Sequence, residues 1–478
     1  MSFPASDSGP MPFNSRTSRL ATVGETWETS NAREGPGVTG RDEEARMMWK
    51  RFLVADPLWR ARPAHVALAI GLMMILAGPS SFAATEATIR FVNWESSDHN
   101  EKPWVDDIEA RFMKDNPGVR IQDEPVDFSG HLHQLVTECA AGNCPDVAEA
   151  QGNDIASLAS GKLAASLDGY DKSLFDSLYP ATVDRVKVNG HLYGIPWGFD
   201  PIGLLYNKEL MKKAGLPPNP PKTIAEAMRA IATARQHDPD TLGIGIDTTL
   251  RDFALDAEWP YMHAFGAEPI KNGKPDADTP QMRAYLEWVR TLVKNGYTQP
   301  GKKMGQFRIF AAQGRLLFLE DGPYFKSVVQ GMNKELTDDK LYATWGVAAM
   351  PGGPANGPSA GSSDHQTVLF ASSKNKAAAL KFMTYLVADE YAIRKFLLLN
   401  GDLPAVQGIE RKIPELNNPI ALGFFKIGSL VVVPPYGPKY EEAYPPIMSN
   451  IQRTYSTTDP VADIARAMQT QLLQVYSK

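Results

Sequence analysis

Hydrophobic and polar residues alternate over residues 88–94 and again over 119–126, a period of two that predicts two β-strands. Between them, apolar residues recur every three or four positions from 102 to 116, which predicts a helix. An Asn-Pro-Gly sequence at 116–118 ends it. Because strands and helices alternate along the chain, the pattern indicates an α/β layer with crossover connections.

The same two periods continue through the rest of the chain. They predict further strands at 145–148, 242–246, 315–320 and 368–371, and helices at 131–141, 155–164, 224–236, 376–400 and 459–476. Glycine and proline interrupt the pattern near 198–202, 350–354 and 401–404. We interpret these three interruptions as passages of the chain between two lobes.

The region near the N-terminus has a different character. Residues 66–78 form an uncharged apolar run that follows several basic residues and leads into small residues at 79–84. This arrangement is typical of a secretory signal peptide, which we assign to 47–83, and the run is shorter than the about 20 residues of a membrane span. A retained membrane anchor is the alternative.

Two further features of this region are its cysteine content near the cleavage site and the length of the segment before the signal peptide. No cysteine lies near the expected cleavage site after Ala83 or Ala84, so we expect a periplasmic protein without a lipid anchor. Residues 1–46 are too long an extension for a signal peptide. We predict that they are either disordered or an artefact of the assigned start, with Met47 or Met48 as the true first residue.

Composition narrows the class of protein. The chain has 478 residues, 43% of them hydrophobic and 22% charged, and a net charge of −6, as in soluble globular proteins. The acidic balance argues against nucleic acid as a partner. Two cysteines are too few for a disulfide scaffold or a four-ligand zinc site.

Cys139 and Cys144 are separated by four residues, so they do not form the two-residue spacing of a redox motif. An exported protein meets an oxidising compartment, where a disulfide between them is permitted. Closing so short a loop would contribute about 2 kcal/mol. Two free thiols are the alternative.

Motifs of common catalytic sites are missing from the sequence. It has no phosphate-binding Gly-x-x-x-x-Gly-Lys-Ser/Thr loop, no His-Glu-x-x-His and no Gly-x-Ser-x-Gly. Residues 373–376 match Ser-x-x-Lys, but a helix cap by Ser372 or Ser373 explains them better. His131 and His133 are interpreted as residues on a helix surface. We therefore predict neither a metal nor a cofactor.

Several longer stretches, taken in order, resemble one known family. They are Leu-Tyr-Gly-Ile-Pro at 192–196, Leu-Leu-Tyr-Asn-Lys-Glu-Leu at 204–210, Phe-Ala-Ala-Gln-Gly-Arg-Leu-Leu-Phe at 310–318, Gly-Pro-Tyr at 322–324 and Ser-Ser-Lys-Asn-Lys-Ala-Ala-Ala-Leu-Lys-Phe at 372–382. The chain from about 88 to 476 resembles the periplasmic sugar-binding proteins of ABC importers, the extracellular solute-binding family 1 that includes maltose-binding protein. No single stretch is decisive; their shared order carries the resemblance.

The resemblance implies a two-lobed periplasmic-binding-protein fold of type II, with three crossings between the lobes and a helical C-terminal region. The implied N-lobe comprises 84–200 with 352–402, and the C-lobe comprises 203–349 with 405–478. Such a protein is a monomer that closes on a sugar or polyol and delivers it to a membrane permease. A receptor for another small organic solute is the first alternative. A secreted carbohydrate-active enzyme is the second, with its catalytic pair drawn from carboxylates such as Asp200, Glu320, Asp321 and Asp364.

The same resemblance implies a set of ligand-binding residues. They are Trp94, Glu95, Gln151, Asp154, Trp197, Asp200, Trp259, Tyr324, Ser363, Asp364, His365 and Tyr436. Flat aromatic rings suit sugar faces, and carboxylates and hydroxyls suit sugar edges. The alternative for Trp94 and Trp259 is the core, and for Glu95, Asp200 and Tyr436 it is the surface or a turn.

Two of these positions depart from the family pattern. Tyr324 stands where many relatives have tryptophan, and Asp364-His365 replaces a small polar stretch. The second departure favours a charged or amino-bearing sugar as the ligand.

Overall fold

The computed structural model describes residues 87–99, 101–435 and 437–477. The predictions for 1–46, for the signal peptide at 47–83 and for Tyr436 lie outside the described residues. Within them, no helix has the length and apolar character needed to cross a membrane.

The structure is of the α/β class. Its strands are β1 (Ala87–Asn93), β2 (Val119–Pro125), β3 (Val147–Ala150), β4 (Lys187–Val188), β5 (His191–Leu192), β6 (Ile195–Pro196), β7 (Pro201–Asn207), β8 (Leu242–Gly245), β9 (Ile270–Lys271), β10 (Lys274–Pro275), β11 (Leu316–Asp321), β12 (Trp345–Ala348), β13 (Gly361–Ser362) and β14 (Gln366–Leu369). Its α-helices are α1 (Lys102–Asp115), α2 (His131–Ala140), α3 (Gly152–Ser160), α4 (Lys172–Asp176), α5 (Pro180–Arg185), α6 (Lys208–Lys213), α7 (Ile224–His237), α8 (Asp252–Phe265), α9 (Pro280–Lys294), α10 (Arg308–Ala312), α11 (Phe325–Met332), α12 (Asp338–Thr344), α13 (Lys376–Ala388), α14 (Glu390–Lys395), α15 (Leu397–Asn400), α16 (Pro419–Ile427), α17 (Tyr440–Ser456) and α18 (Val461–Tyr476).

Two five-stranded sheets organise the two lobes. The first has the order β2-β1-β3-β14-β6, in which β1 runs parallel to β2 and β3 while β14 is antiparallel to β3 and β6. In the second sheet, β7 is antiparallel to β11, β12 and β13, and β8 is parallel to β11. The alternation of strand and helix therefore produces the predicted α/β lobes, each with a mixed sheet.

Periodic apolar residues form the core that fixes the first sheet. Phe91 from β1 and Phe112 from α1 both contact the ring of Phe382 in α13, with ring centroids 5.2 and 5.0 Å apart. All three side chains are fully buried, and each such burial contributes about 1.5–3 kcal/mol. The predicted helix at 376–400 is divided into α13, α14 and α15: Asp389 ends α13 and caps α14, and Phe396 separates α14 from α15.

The starts of two predicted helices are capped in different ways. Thr223 caps α7 and forms a capping box with Glu226, as a Thr three residues before a Glu favours. Ser373 does not cap α13, whose first cap residue is Asn375. Its hydroxyl instead donates a hydrogen bond to Asp146 Oδ1 at 2.5 Å, which links α13 to the strand end at β3.

The chain segments between the two sheets lie side by side. Trp197 N donates to His365 O at 2.8 Å, and Phe199 N donates to Leu403 O at 2.7 Å. Ser363 N donates to the carbonyl oxygen of Asp200 at 2.9 Å. We call the segments 197–200, 363–365 and 401–404 the three passages. The hydrogen bonds between them join the three passages into one narrow connection.

One passage lies later than predicted. The Gly/Pro-rich stretch that starts near 350 stays with the second sheet, since Met350 pairs with Ser359 and β13 pairs with β7. The prediction that residues 352–362 belong to the N-lobe is therefore wrong. Glycine and proline mark this stretch as a turn, and a turn within one lobe has the same composition as a crossing between lobes. The other predicted lobe limits stay predictions.

A disulfide joins Cys139, in the last turn of α2, to Cys144. Arg90 holds the same loop, because its Nη1 donates to the carbonyl oxygens of Asn143 and Cys144 at 3.1 and 3.2 Å.

Candidate functional site

A cavity of about 550 Å³ opens between elements of the two sheets. Trp94 and Glu95 enter it directly after β1, and Tyr324 enters it shortly after β11. His365 and Asp402 reach it from two of the passages. Ligands of open α/β sheets bind at the carboxyl ends of strands, so this is the position expected for a binding site.

Aromatic rings line the cavity from both sheets. Trp94 has its ring centroid 5.3 Å from Phe128 and 5.6 Å from His365. Phe253, in α8, meets Phe128 edge to face at 5.8 Å. Together with Tyr324 these rings offer flat apolar faces, the surface on which a sugar ring stacks.

His365 lies at the centre of a group of carboxylates at the floor of the cavity. Its Nδ1 is 2.6 Å from Glu149 Oε1 and 3.2 Å from Glu95 Oε1. Its Nε2 is 3.6 Å from Asp200 Oδ2 and 3.9 Å from Asp402 Oδ2. One imidazole therefore faces four carboxylates, all of them buried.

The electrostatics follow from this arrangement. Burial opposes a charge on His365, but the neighbouring carboxylates outweigh it and hold the imidazole pKa well above its usual value. Burial, and in second place the charge of the neighbouring acid, raise the pKa of Glu95 and of Asp200. Burial raises the pKa of Asp402 to about 6, although the positive His365 opposes it.

The ligating atoms around His365 lie close enough to surround an ion. Those of Glu95, Glu149 and His365, and those of Asp200, His365 and Asp402, lie within 4.8 Å of one another. However, Nδ1 already bonds to Glu149, and the raised imidazole pKa favours a proton at both nitrogens. A protonated imidazole cannot ligate a metal, so the imidazolium itself is the cation of this cluster.

On the opposite wall, Arg308 is held in a fixed position. Its Nε and Nη2 each donate to one oxygen of Asp321 at 2.8 Å, in the bidentate geometry that arginine favours. The guanidinium lies 4.8 Å from the centre of the Tyr324 ring. Both contacts fix the orientation of Tyr324 at the cavity surface.

Five of the predicted site residues line the cavity. They are Trp94, Glu95, Tyr324, Ser363 and His365.

Three further predicted residues lie beneath the cavity. Asp200 is fully buried, and its Oδ1 accepts a hydrogen bond from Leu403 N at 3.1 Å. Asp364 accepts from Asp200 N at 3.2 Å and pairs with Arg185. Trp197 stacks on Phe396 with 4.7 Å between ring centroids, so it belongs to the core.

Gln151 and Asp154 begin α3 and have local partners. Gln151 N donates to Asp154 Oδ2 at 2.7 Å, and the same oxygen lies 2.6 Å from His131 Nε2. The interpretation of His131 as a surface residue is therefore wrong: it is buried, and the Asp154 charge outweighs burial and raises its pKa to about 9. Trp259 is buried in α8, a helix packed on nearly all sides.

Sequence reasoning missed several residues that line the cavity. They are Asp98, Glu101, Phe128, Arg251, Phe253, Lys303, Arg308 and Asp402. Asp402 follows a glycine inside a predicted passage, which is a signal that points to the cleft. Arg308 and Phe253 lie in helices, and only the packing of those helices brings them to the site.

Comparison with known proteins gives the class to which this fold and cavity belong. Residues 96–393 match the model of the family described as bacterial extracellular solute-binding protein. The match spans more than half of the chain, and the chain belongs to this family. Its members bind solutes and are not enzymes, so the enzyme alternative falls away.

Individual relatives agree with this assignment. A Brucella abortus (strain 2308) protein described as a binding protein is 25% identical over 69% of this chain and 80% of its own length. The maltotriose-binding protein of Pyrococcus abyssi is 22% identical over 73% of this chain and 74% of its own length. An ABC transporter solute-binding protein of Thermotoga lettingae, solved with α-D-tagatose, has the same fold: the TM-score is 0.70, with 20% identity over 82% of this chain and all of that chain.

Proposed function

We propose that this protein is the periplasmic substrate-binding component of an ABC importer, and that it binds a sugar or polyol in the cavity between its lobes. The observation that carries the proposal is the cavity itself. Its volume of about 550 Å³ lies in the range of small-molecule sites, and it combines aromatic faces with carboxylates at fixed positions. The sugar-binding relative and the sugar-bound neighbour support the same class of ligand.

Hinge closure is the second part of the proposal. The three passages form a narrow connection, while Phe128 and Phe253 meet from opposite lobes. Asn153 Nδ2 also donates across the lobes to Asp256 Oδ2 at 2.5 Å. A ligand that contacts both walls binds the closed form more tightly and shifts the population toward it. The permease would recognise that closed form and accept the sugar from it.

The proposal also covers where the protein is located and how it is freed from its signal peptide. The apolar run at 66–78 would direct export, and cleavage near Ala83 would leave a free periplasmic monomer without lipid.

A thermal-shift screen tests the ligand class. The purified protein is unfolded and refolded to strip ligand, then melted with mono- and disaccharides, amino sugars, polyols and organic acids. A ligand at 100 times its Kd stabilises the native state by about 2.7 kcal/mol, which a melt resolves. A shift with one sugar class supports the proposal, whereas a shift only with an organic acid would replace the sugar by another solute.

A further inference from the structure

Acidic side chains collect on one wall of the cavity. Glu95, Asp98 and Glu101 reach it from the segment that follows β1, and Asp402 reaches it from the third passage. Glu95 and Asp402 are only 2% and 1% exposed, Glu101 is half-buried, and Asp98 is exposed. A wall of this kind costs free energy unless cations or protons balance it.

Three of the four positive groups that line the cavity already contact carboxylates, and the fourth, Lys303, is exposed to solvent. His365 is one imidazolium among four carboxylates, two of which, Glu149 and Asp200, lie behind the cavity. Across the cavity, Arg308 is paired with Asp321. Arg251 is paired with Asp247 in the same way. The acidic wall therefore holds more carboxyl groups than nearby positive charges.

Two carboxyl groups of the wall touch each other. Glu101 interacts with Glu95, and the pair favours a shared proton because two ionised carboxylates side by side repel. Burial and this contact raise the pKa of Glu101 to about 10. The proton occupies a place that a cation brought by a ligand would fill.

Asp402 is a second member of the acidic wall whose carboxyl group is not fully satisfied. Its Oδ2 accepts a hydrogen bond from Asn400 at 2.8 Å, while its Oδ1 has no hydrogen-bond donor among the described residues. A buried oxygen without a donor is destabilising, and this one belongs to a residue that lines the cavity. A donor on the ligand would satisfy it.

A protonated amine fits these observations better than a hydroxyl group. A hydroxyl donates one hydrogen and carries no charge, whereas an ammonium has three donors and one positive charge. The rings of Trp94 and Tyr324 lie in the same cavity, and aromatic faces attract cations. We infer that the ligand is an amino-bearing sugar whose ammonium group is received by Glu95, Glu101 and Asp402; this inference rests on the proposed sugar-binding function and narrows its ligand class.

Matched disaccharides test the inference. Calorimetric titration compares β-1,4-linked diglucosamine with cellobiose, which has hydroxyls in place of the amines, and with N,N′-diacetylchitobiose, in which the amines are uncharged amides. We expect diglucosamine to bind at least about tenfold more tightly than either, the effect of one hydrogen-bonded charge. Cellobiose or the amide binding as tightly as the amine would overturn the inference and leave the proposed function standing.

A pair of variants in one segment separates recognition from folding. Glu101→Gln should weaken diglucosamine binding about tenfold and leave cellobiose within about twofold. The control is Glu109→Gln, since Glu109 is also buried but lies outside the cavity lining and should change neither affinity. Equal weakening of both sugars by Glu101→Gln would overturn the assigned role. Absence of binding by every sugar and polyol of the screen would overturn the proposed function, and the inference with it.

Discussion

Asp200 Oδ2 and His365 Nε2 lie 3.6 Å apart although their residues belong to two different passages between the lobes. Asp402, on the third passage, lies 3.9 Å from the same nitrogen. Each passage thus contributes one ionisable side chain to a single buried group. The positive charge of His365 interacts with acids from the other two passages. The same interaction therefore stabilises the hinge and the floor of the cavity.

Replacing His365 should therefore destabilise the whole protein. In His365→Gln, the carboxylates of Glu95, Glu149, Asp200 and Asp402 lose their common cation while they stay buried. We expect a loss of about 3–5 kcal/mol in the free energy of unfolding at pH 7, as when one partner of a buried ion pair is removed. Urea unfolding followed by tryptophan fluorescence measures it.

The sign of the pH dependence gives a second readout for the same variant. The folded-state pKa of His365 is raised, so its stabilising contribution is fully present below the unfolded value of about 6.5 and is lost as pH rises through the folded value. Below about pH 6 the carboxyl group of Asp402 takes up a proton, so the penalty of the variant should shrink. His191→Gln is the control: its pair with Asp168 is exposed, and exposed ion pairs contribute little to stability. Equal losses from the two variants would contradict the central role of His365.

The sequence predicts the elements of this fold better than the residues of its site. The strands near 88–94 and 119–126 and the intervening helix have strong periods, and the structure forms them at nearly the predicted positions. The spacing of apolar residues indicates which face of a helix or strand is buried, and that information is contained in the segment itself. The two sheets follow from it and from the resemblance of the chain to a known family.

The site depends on contacts that no local pattern reports. Trp197 lies in a Gly/Pro-rich passage, a context that favours the cleft, yet its ring is covered by Phe396 from α14–α15. Arg308 reaches the cavity because α10 packs beside β11, where Asp321 fixes it. Trp94 and Tyr324 were predictable because they follow strand ends, the positions at which such sheets bind ligands.

A buried acid outside the cavity predicts how stability varies with pH. Burial, together with the charges of the nearby Asp123 and Asp106, raises the pKa of Glu109 to about 8, while Lys102 opposes the shift. Between about pH 4.5 and 8 the folded protein keeps this proton and the unfolded chain releases it, so stability falls as pH rises. Glu109→Gln stays neutral in both states and avoids that fall.

We expect Glu109→Gln to match the parent protein at pH 4.5 and to be more stable by up to a few kcal/mol at pH 9. Urea unfolding at both pH values measures the difference. The measurement at pH 4.5 is the internal control, since residue 109 is neutral in both folded proteins at that pH. A variant that is less stable than the parent at pH 9 would contradict the raised pKa of Glu109 in the folded protein.

The disulfide between Cys139 and Cys144 should make a modest contribution. Closing this short loop restricts the unfolded chain, and the chain-entropy model gives about 2 kcal/mol. Replacing both cysteines by serine should lower the free energy of unfolding by that amount. Dithiothreitol should produce the same loss in the parent protein and none in the double variant. A parent protein whose unfolding is unchanged by reductant would contradict a stabilising disulfide.

Tyr324 should contribute to ligand binding through its ring more than through its hydroxyl. The ring lines the cavity and is held by Arg308, so Tyr324→Ala removes apolar contact area and should weaken binding of the identified sugar by about 1–3 kcal/mol. Tyr324→Phe keeps the ring and should retain most of the affinity. Tyr342→Ala is a matched control, because Lys326 lies over that ring at 5.7 Å but Tyr342 is outside the cavity lining. Calorimetric titration of the folded variants decides the matter: an unchanged affinity in Tyr324→Ala would place the sugar elsewhere in the cleft.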